Sequence, residues 1–199
     1  MQIVPCAEGD DKLIAEKLDA IIDSMITFDN PAEGELVVFK VTDSDGAIIA
    51  GSNLIIGCWK VADIDILWVE EKYRRQGIGS SLVRTAERTA RERGCHMMTL
   101  GTFDFQAKPL YEKHGYTECG TIKDCPTKGH MHYDMIKWLN RPFTEFVSPV
   151  PSPYEIRLGS EEDVEFIDDR LVEYNLSKIP SMHDFVQIGK RCRVMMVNW

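Results

Sequence analysis

Leu67-Trp68-Val69-Glu70-Glu71-Lys72-Tyr73-Arg74-Arg75-Gln76-Gly77-Ile78-Gly79-Ser80-Ser81-Leu82 decides the reading of this chain. The stretch runs from the end of an apolar strand, through a basic turn with two glycines, into an amphipathic helix. Such a turn leaves backbone N–H groups unpaired at a helix N-terminus, where the helix dipole favours an anion. Glycine lets the backbone approach a diphosphate closely, and Arg74 and Arg75 add positive charge beside it. A Walker loop would need a Lys-Ser/Thr pair after its last glycine, but Gly79 is followed by Ser80-Ser81. A dinucleotide fingerprint would need a third glycine where Leu82 stands.

The flanks fit a strand–turn–helix unit. Ala62 to Val69 is rich in Ile, Leu, Val and Trp and reads as a mostly buried strand interrupted by Asp63 and Asp65. Leu82, Val83, Ala86 and Ala90 recur at helical spacing, with Arg84, Glu87, Arg88, Arg91 and Glu92 on the other face. Gly94 closes this helix as a C′ residue, with basic Arg91 and Arg93 in its last turn. Cys95 to Thr102 reads as the next buried strand, and Ala107 to His114 as a short helix ending at Gly115.

With the nucleotide loops excluded, Arg74-x-x-Gly77-x-Gly79 resembles the Q/R-x-x-G-x-G/A motif of the GNAT N-acetyltransferase superfamily. Downstream, Leu110-Tyr111-Glu112-Lys113-His114-Gly115-Tyr116 resembles that family's L/F-Y-x-K-x-G-F/Y signature, in the family's order and at about its spacing. The resemblance extends from about Ile3 to Leu139 and is strongest from Asp63 to Tyr116. It implies the α/β (α+β) GNAT acyl-CoA N-acyltransferase fold, a mixed central sheet with helices on both faces. The remaining segments suit that order. Gln2 to Val4 is an expected strand, and Asp10 or Asp11 can cap a helix with Leu13, Ile14, Leu18, Ile21 and Ile22 on one face. Glu35 to Val41 and Ala47 to Cys58 read as a hairpin around Asp43-Ser44-Asp45-Gly46; Tyr116 to Lys123 and His130 to Trp138 read as two more strands.

The resemblance implies acetyl-CoA as co-substrate and an amine as acceptor. It implies that the backbone of Leu67, Trp68 and Val69 holds the pantetheine arm. Gln76, Gly77, Ile78, Gly79, Ser80 and Ser81 then offer N–H groups to the diphosphate, and Arg74 and Arg75 add charge. Tyr111 matches the tyrosine that serves many members as general acid to the departing thiolate. Asp63 matches the position of a carboxylate base in several members. At alternate positions of one strand, Asp63 and Asp65 are expected on the same face, where Asp65 binds a cationic substrate or braces the loop. The family's loop asparagine has no counterpart in Thr102-Phe103-Asp104-Phe105-Gln106. The competing function is a catalytically silent acyl-CoA-binding or assembly protein on the same fold.

Composition bounds the rest. A chain of 199 residues with 44% hydrophobic residues suits one domain with some excess. No apolar run is long enough to span a bilayer and no basic-then-apolar leader opens the chain, so a cytoplasmic protein without a membrane partner is expected. A net charge of −9 argues against nucleic acid and is compatible with a cationic amine. The six scattered cysteines read as reduced thiols. Cys119, Cys125, His130 and His132 match no common zinc spacing, so no metal is expected. Cys95 opens a buried strand with no obvious adjacent base, which argues against an acetylated cysteine.

Residues 1–141 are expected to form the GNAT domain and 142–153 a proline-rich linker. Residues 154–199 read as a partial second copy of strand, helix and strand. Ile156, Glu161, Asp163, Ile167 and Leu171 match Ile3, Glu8, Asp10, Ile14 and Leu18 at one constant offset. Val172-Glu173-Tyr174-Asn175 resembles the first-helix end of some small GNAT enzymes. So short a copy packs on the first domain, exchanges with another chain or stays partly disordered. Arg193 to Trp199 is apolar enough to be a strand, which leaves an edge-paired homodimer open.

Overall fold

The computed structural model describes residues 7, 9–25, 34–57, 59–141 and 151–179. The expected strands at Gln2–Val4 and Arg193–Trp199 lie outside the described residues. Two compact units divide the chain, Met1–Glu33 and Gly34–Trp199. In the first, helix α1 (Asp10–Met25) is opened by Asp10, whose carboxylate accepts the Ala7 N–H at 2.7 Å. The aspartate thus caps from inside the first turn.

The second unit is built on a seven-stranded mixed sheet. Strands β1 (Glu35–Thr42) and β2 (Ile48–Ile56) form the expected hairpin. Asp43 closes its turn by accepting the N–H groups of Asp45 and Ala47, both at 3.0 Å, and Gly46 takes a φ of 84°. β3 (Val61–Val69), β4 (Met97–Phe103), β5 (Thr117–Lys123), β6 (Met131–Trp138) and the short β7 (Arg157–Leu158) complete the order β5-β6-β4-β3-β2-β1-β7. Among the described strands only β3 and β4 run parallel. The connection between them is helix α2 (Ile78–Glu92), the crossover that a parallel pair requires. α3 (Lys108–Lys113) follows β4, and α4 (Glu161–Lys178) follows β7.

Helices cover both faces. On one, Leu82, Val83, Ala86 and Ala90 of α2 pack with Leu54, Ala62, Ile64, Met98, Leu100, Tyr111 and Met135. On the other, Ile167 of α4 packs with Val38, Ile66 and Trp68. Gly94 (φ 80°) ends α2 in a Schellman arrangement, donating to Arg91 while Cys95 donates to Ala90, both at 2.9 Å. The turn reverses the chain directly into β4.

One charged pair lies inside this core. Lys137 of β6 donates to both carboxylate oxygens of Glu87 on α2 at 2.7 Å, with 3% and 4% of the two side chains exposed. A pair this dry survives only with close geometry. Beside it, burial and then the cations Lys137 and Arg84 press the His114 imidazole down to about 4. Unfolded, the same ring protonates near 6.5. Between those values the unfolded chain binds the extra proton, so stability falls as pH drops through the window, by up to about 3 kcal/mol for this group. Urea unfolding of wild type and His114→Gln from pH 7 to pH 4 is expected to give a shallower loss for the variant. Equal pH slopes would remove His114 from this account.

Candidate active site

The parallel pairing of β3 with β4 covers only Val61↔Met97, Ala62↔Met98 and Asp63↔Thr99, although both strands continue beyond it. The cause is in the neighbouring ladder. Asn53 of β2 opposes Ile66 while Leu54 opposes Ile64, so Asp65 is the extra residue of a β-bulge. The bulge bends β3 and exchanges its faces. Ala62 and Ile64 belong to the α2 cluster and Ile66 and Trp68 to the α4 cluster, while Leu67 and Val69 again pack on the α2 side. The alternation that puts Asp63 and Asp65 on one face changes phase at Asp65 itself. Asp63 sits at the last paired position, where its carboxylate accepts the Thr99 hydroxyl at 2.5 Å. The two strands therefore make a fork, with Asp63 at its crotch.

The glycine turn lies beyond the far end of β3. Gly77 is the N-cap of α2 with a φ of 77°, and Arg75 is also left-handed at 62°. No side chain caps the helix and no acidic residue stands in its first turn. Its opening N–H groups have no intrahelical acceptor, and the first donor that turns back is Ser81, to the Gly77 carbonyl at 3.0 Å. Ile78, almost fully buried, anchors the turn. A Cβ on Gly79 would make van der Waals contact with Leu110 at 3.4 Å and Val69 at 3.9 Å, at the junction of β3, α2 and α3. The turn thus keeps the features of an anion cradle. Of its two arginines, Arg74 also has partners within the chain. Arg74 gives its Nε–H to the Val69 carbonyl at 2.9 Å and lays its guanidinium over the Tyr174 ring at 4.6 Å. It braces the turn. The Trp68 side chain lies in the α4 cluster, edge-on to Phe166, which leaves its backbone as the part available to the fork.

Tyr111 is held by the second glycine. Gly115 (φ 83°) ends α3 in another Schellman arrangement, its N–H bonded to Glu112 at 2.9 Å and that of Tyr116 to Tyr111 at 3.1 Å. The apolar contact that accompanies this motif is the Tyr111–Tyr116 ring pair, edge to face at 5.9 Å. Tyrosine, glycine and tyrosine in the signature are therefore one mechanical unit. Burial, and then the negative charge of Asp63, push the Tyr111 phenol far above its ordinary range. The phenol is thereby held in its protonated form, with a proton available to donate.

The loop after β4 is organised by Gln106. Its Oε1 accepts the Phe103 N–H at 2.9 Å and lies 3.2 Å from the Thr102 hydroxyl. Its Nε2 donates to Asn175 of α4 at 2.8 Å, and the neighbouring Tyr174 hydroxyl donates to the Phe105 carbonyl at 2.8 Å. Thr99 and Gln106 are thus site neighbours that motif reading passed over, and Asn175, noted there only in a helix-end resemblance, joins them. Thr99 follows from the strand register, whereas the Gln106–Asn175 bond joins distant segments and has no local signal. His130 pairs with Asp104 at 3.1 Å, and no three His, Cys, Asp or Glu side chains converge as a metal site among the described residues.

Comparison with known proteins agrees with this geometry. The acetyltransferase (GNAT) family model matches residues 8–116. The chain is 41% identical over 69 residues to a blasticidin-S acetyltransferase of Streptomyces morookaense, covering 34% of this chain and 51% of that protein. It is 37% identical over 59 residues to an acetyltransferase of Agrobacterium fabrum, covering 30% and 43%. The chain thus spans about half the length of these curated relatives. A crystal structure of an acetyltransferase from Bacillus cereus shares 33% identity at a TM-score of 0.61, covering 69% of this chain and 97% of that one. The chain belongs to the acetyltransferase (GNAT) family.

Because Gly115 needs its positive φ to hold Tyr111, Gly115→Ala is expected to lower the unfolding free energy by about 1 kcal/mol. Gly115→Asn, which tolerates the left-handed region better, is expected to recover part of it. Chemical denaturation reads both, and an Ala variant as stable as wild type would contradict the role assigned to this turn.

Proposed function

We propose that this member of the family is an acetyl-CoA-dependent N-acetyltransferase, passing an acetyl group to a primary amine of a small molecule or peptide by direct attack. The observation that carries the reading is the fork. Two parallel strands part after Asp63 and Thr99, with an uncapped helix N-terminus at one arm and a proton-holding tyrosine beside the crotch. The residues suit acetyl-CoA along its length. The opening N–H groups of α2 and Arg75 would meet the diphosphate. The backbone of Leu67, Trp68 and Val69, turned from β4, would pair with the amide-bearing arm as a neighbouring strand does.

Acetyl-CoA supplies a thioester carbonyl for the amine to attack. Asp63, on the wall of the fork, is assigned to take the proton from the amine. Asp65, displaced on the bulge, is assigned to a cationic acceptor, which suits an acidic chain. Tyr111 gives its proton to the departing sulfur, so one proton enters at Asp63 and one leaves at Tyr111. No covalent acyl-protein step is needed, because the Cys95 thiol is buried and burial pushes it upward, away from the thiolate. No metal is assigned a role. Placement in the cytoplasm is part of the proposal; no helix among the described residues is long and apolar enough to cross a membrane.

Thiol release from acetyl-CoA over a panel of amines tests the reading. Turnover of at least one primary amine is expected, and Tyr111→Phe is expected to lower kcat roughly 100-fold with the KM for acetyl-CoA little changed. Equal turnover by both proteins would remove Tyr111 from the chemistry. Tight CoA binding with no turnover on any amine would favour the silent binding protein. Asp63→Asn is expected to move the rate–pH profile to higher pH, since only amine that is already neutral can then attack; an unmoved profile would clear Asp63 of the base role.

A further inference from the structure

We infer that the C-terminal helix completes this site, with Tyr174 and Asn175 of α4 acting as positioning residues that strut the mouth of the β3–β4 fork for acyl-CoA. The inference rests on the function proposed above. Beyond Asp63 and Thr99 no ladder of hydrogen bonds fixes the distance between the arms. The two loops that end the arms are instead tied through adjacent residues of one helix. On the β3 side, the Tyr174 ring lies against the Arg74 guanidinium, which itself holds the Val69 carbonyl. On the β4 side, the Tyr174 hydroxyl bonds the Phe105 carbonyl, and Asn175 takes the Gln106 amide whose other end holds the Phe103 N–H.

A strut must itself be fixed. α4 is seated on the sheet by Ile167, fully buried against Gly51, where any side chain would collide with it. Asp163 pairs with Lys40 at 2.7 Å. β7 adds two backbone pairings to β1 just before the helix. The helix therefore transmits the position of the sheet to both loops.

The N-terminal segment sharpens the assignment. Asp10 takes the Ala7 N–H as Asp163 takes that of Ser160, and α1 and α4 end at Met25 and Lys178, equivalent positions under the offset that aligns Ile167 with Ile14. Under the same offset Tyr174 and Asn175 fall on Ile21 and Ile22. The seating residue and the cap match, whereas the two polar residues belong to the C-terminal segment alone. Packing of a helix on a sheet does not require them; holding two loops apart does.

The test uses the full chain with Tyr174→Leu, Tyr174→Phe and Asn175→Ala, and Phe166→Leu as a packing control on the same helix. CoA affinity is read by calorimetric titration and Tm by thermal unfolding. Tyr174→Leu and Asn175→Ala are expected to weaken CoA binding at least about fivefold, with Tm lowered no more than by Phe166→Leu. Tyr174→Phe, which keeps the ring and loses one hydrogen bond, is expected to fall between them and wild type. Phe166→Leu is expected to lower Tm and leave CoA affinity unchanged. Should Tyr174→Leu fail to fold, the other two variants decide. Wild type that binds CoA, with variants binding within about twofold of it, overturns the strut alone. Wild type that does not bind CoA overturns the proposed function, and the strut with it.

Discussion

Backbone amides that leave a β-ladder must find other partners, and β3 and β4 leave theirs after three shared residues. From Ile64 to Val69, no strand among the described residues pairs with the edge of β3 that faces β4. An unpaired polar backbone group hidden from water costs about 1–3 kcal/mol, so this stretch has to face water or a ligand with matching amides. The bulge at Asp65 creates the demand by bending β3 while its other edge stays paired with β2. Every neighbouring feature follows from keeping that opening in place. α2 starts uncapped beyond one arm, α3 fixes Tyr111 beside the crotch, and α4 spans the loops at the mouth.

The buried Glu87–Lys137 pair has a place in the same frame. It fastens α2, the helix that opens with the cradle, to β6, which pairs with β4 along its whole length. α2 is thereby fixed to the β4 half of the sheet as well as to the β3 half that its own sequence continues. A fork whose arms share few hydrogen bonds gains rigidity from a helix fastened to both. The close 2.7 Å geometry fits that function better than a simple contribution to stability, which buried pairs supply poorly.

Much of this was legible in the sequence, for physical reasons that can be named. The Arg74–Gly79 turn and the Tyr111–Tyr116 unit are local: each needs a left-handed glycine at a set distance from a helix end, so each leaves a pattern. Gly46, Gly94 and Gly115 all take the positive φ that the reading required. The hairpin and the succession of strands and helices followed from periodicity, and the mixed sheet from the family resemblance. The bulge did not, because it is a mismatch between two strands and neither strand alone carries it. The contacts of Arg74 with Val69 and Tyr174 are set by tertiary packing and left no pattern. Gln106 with Asn175, and Glu87 with Lys137, are far apart in sequence and carry no mark of their pairing.

Amide hydrogen exchange of the full chain, with and without CoA, tests the central claim most directly. If the fork and the helix start form the acyl-CoA site, CoA will slow exchange at Ile64–Val69 and Gln76–Ser81 together. The β1–β2 hairpin, already paired, will change little. Protection confined to other segments, or none at all with CoA bound, would contradict the account.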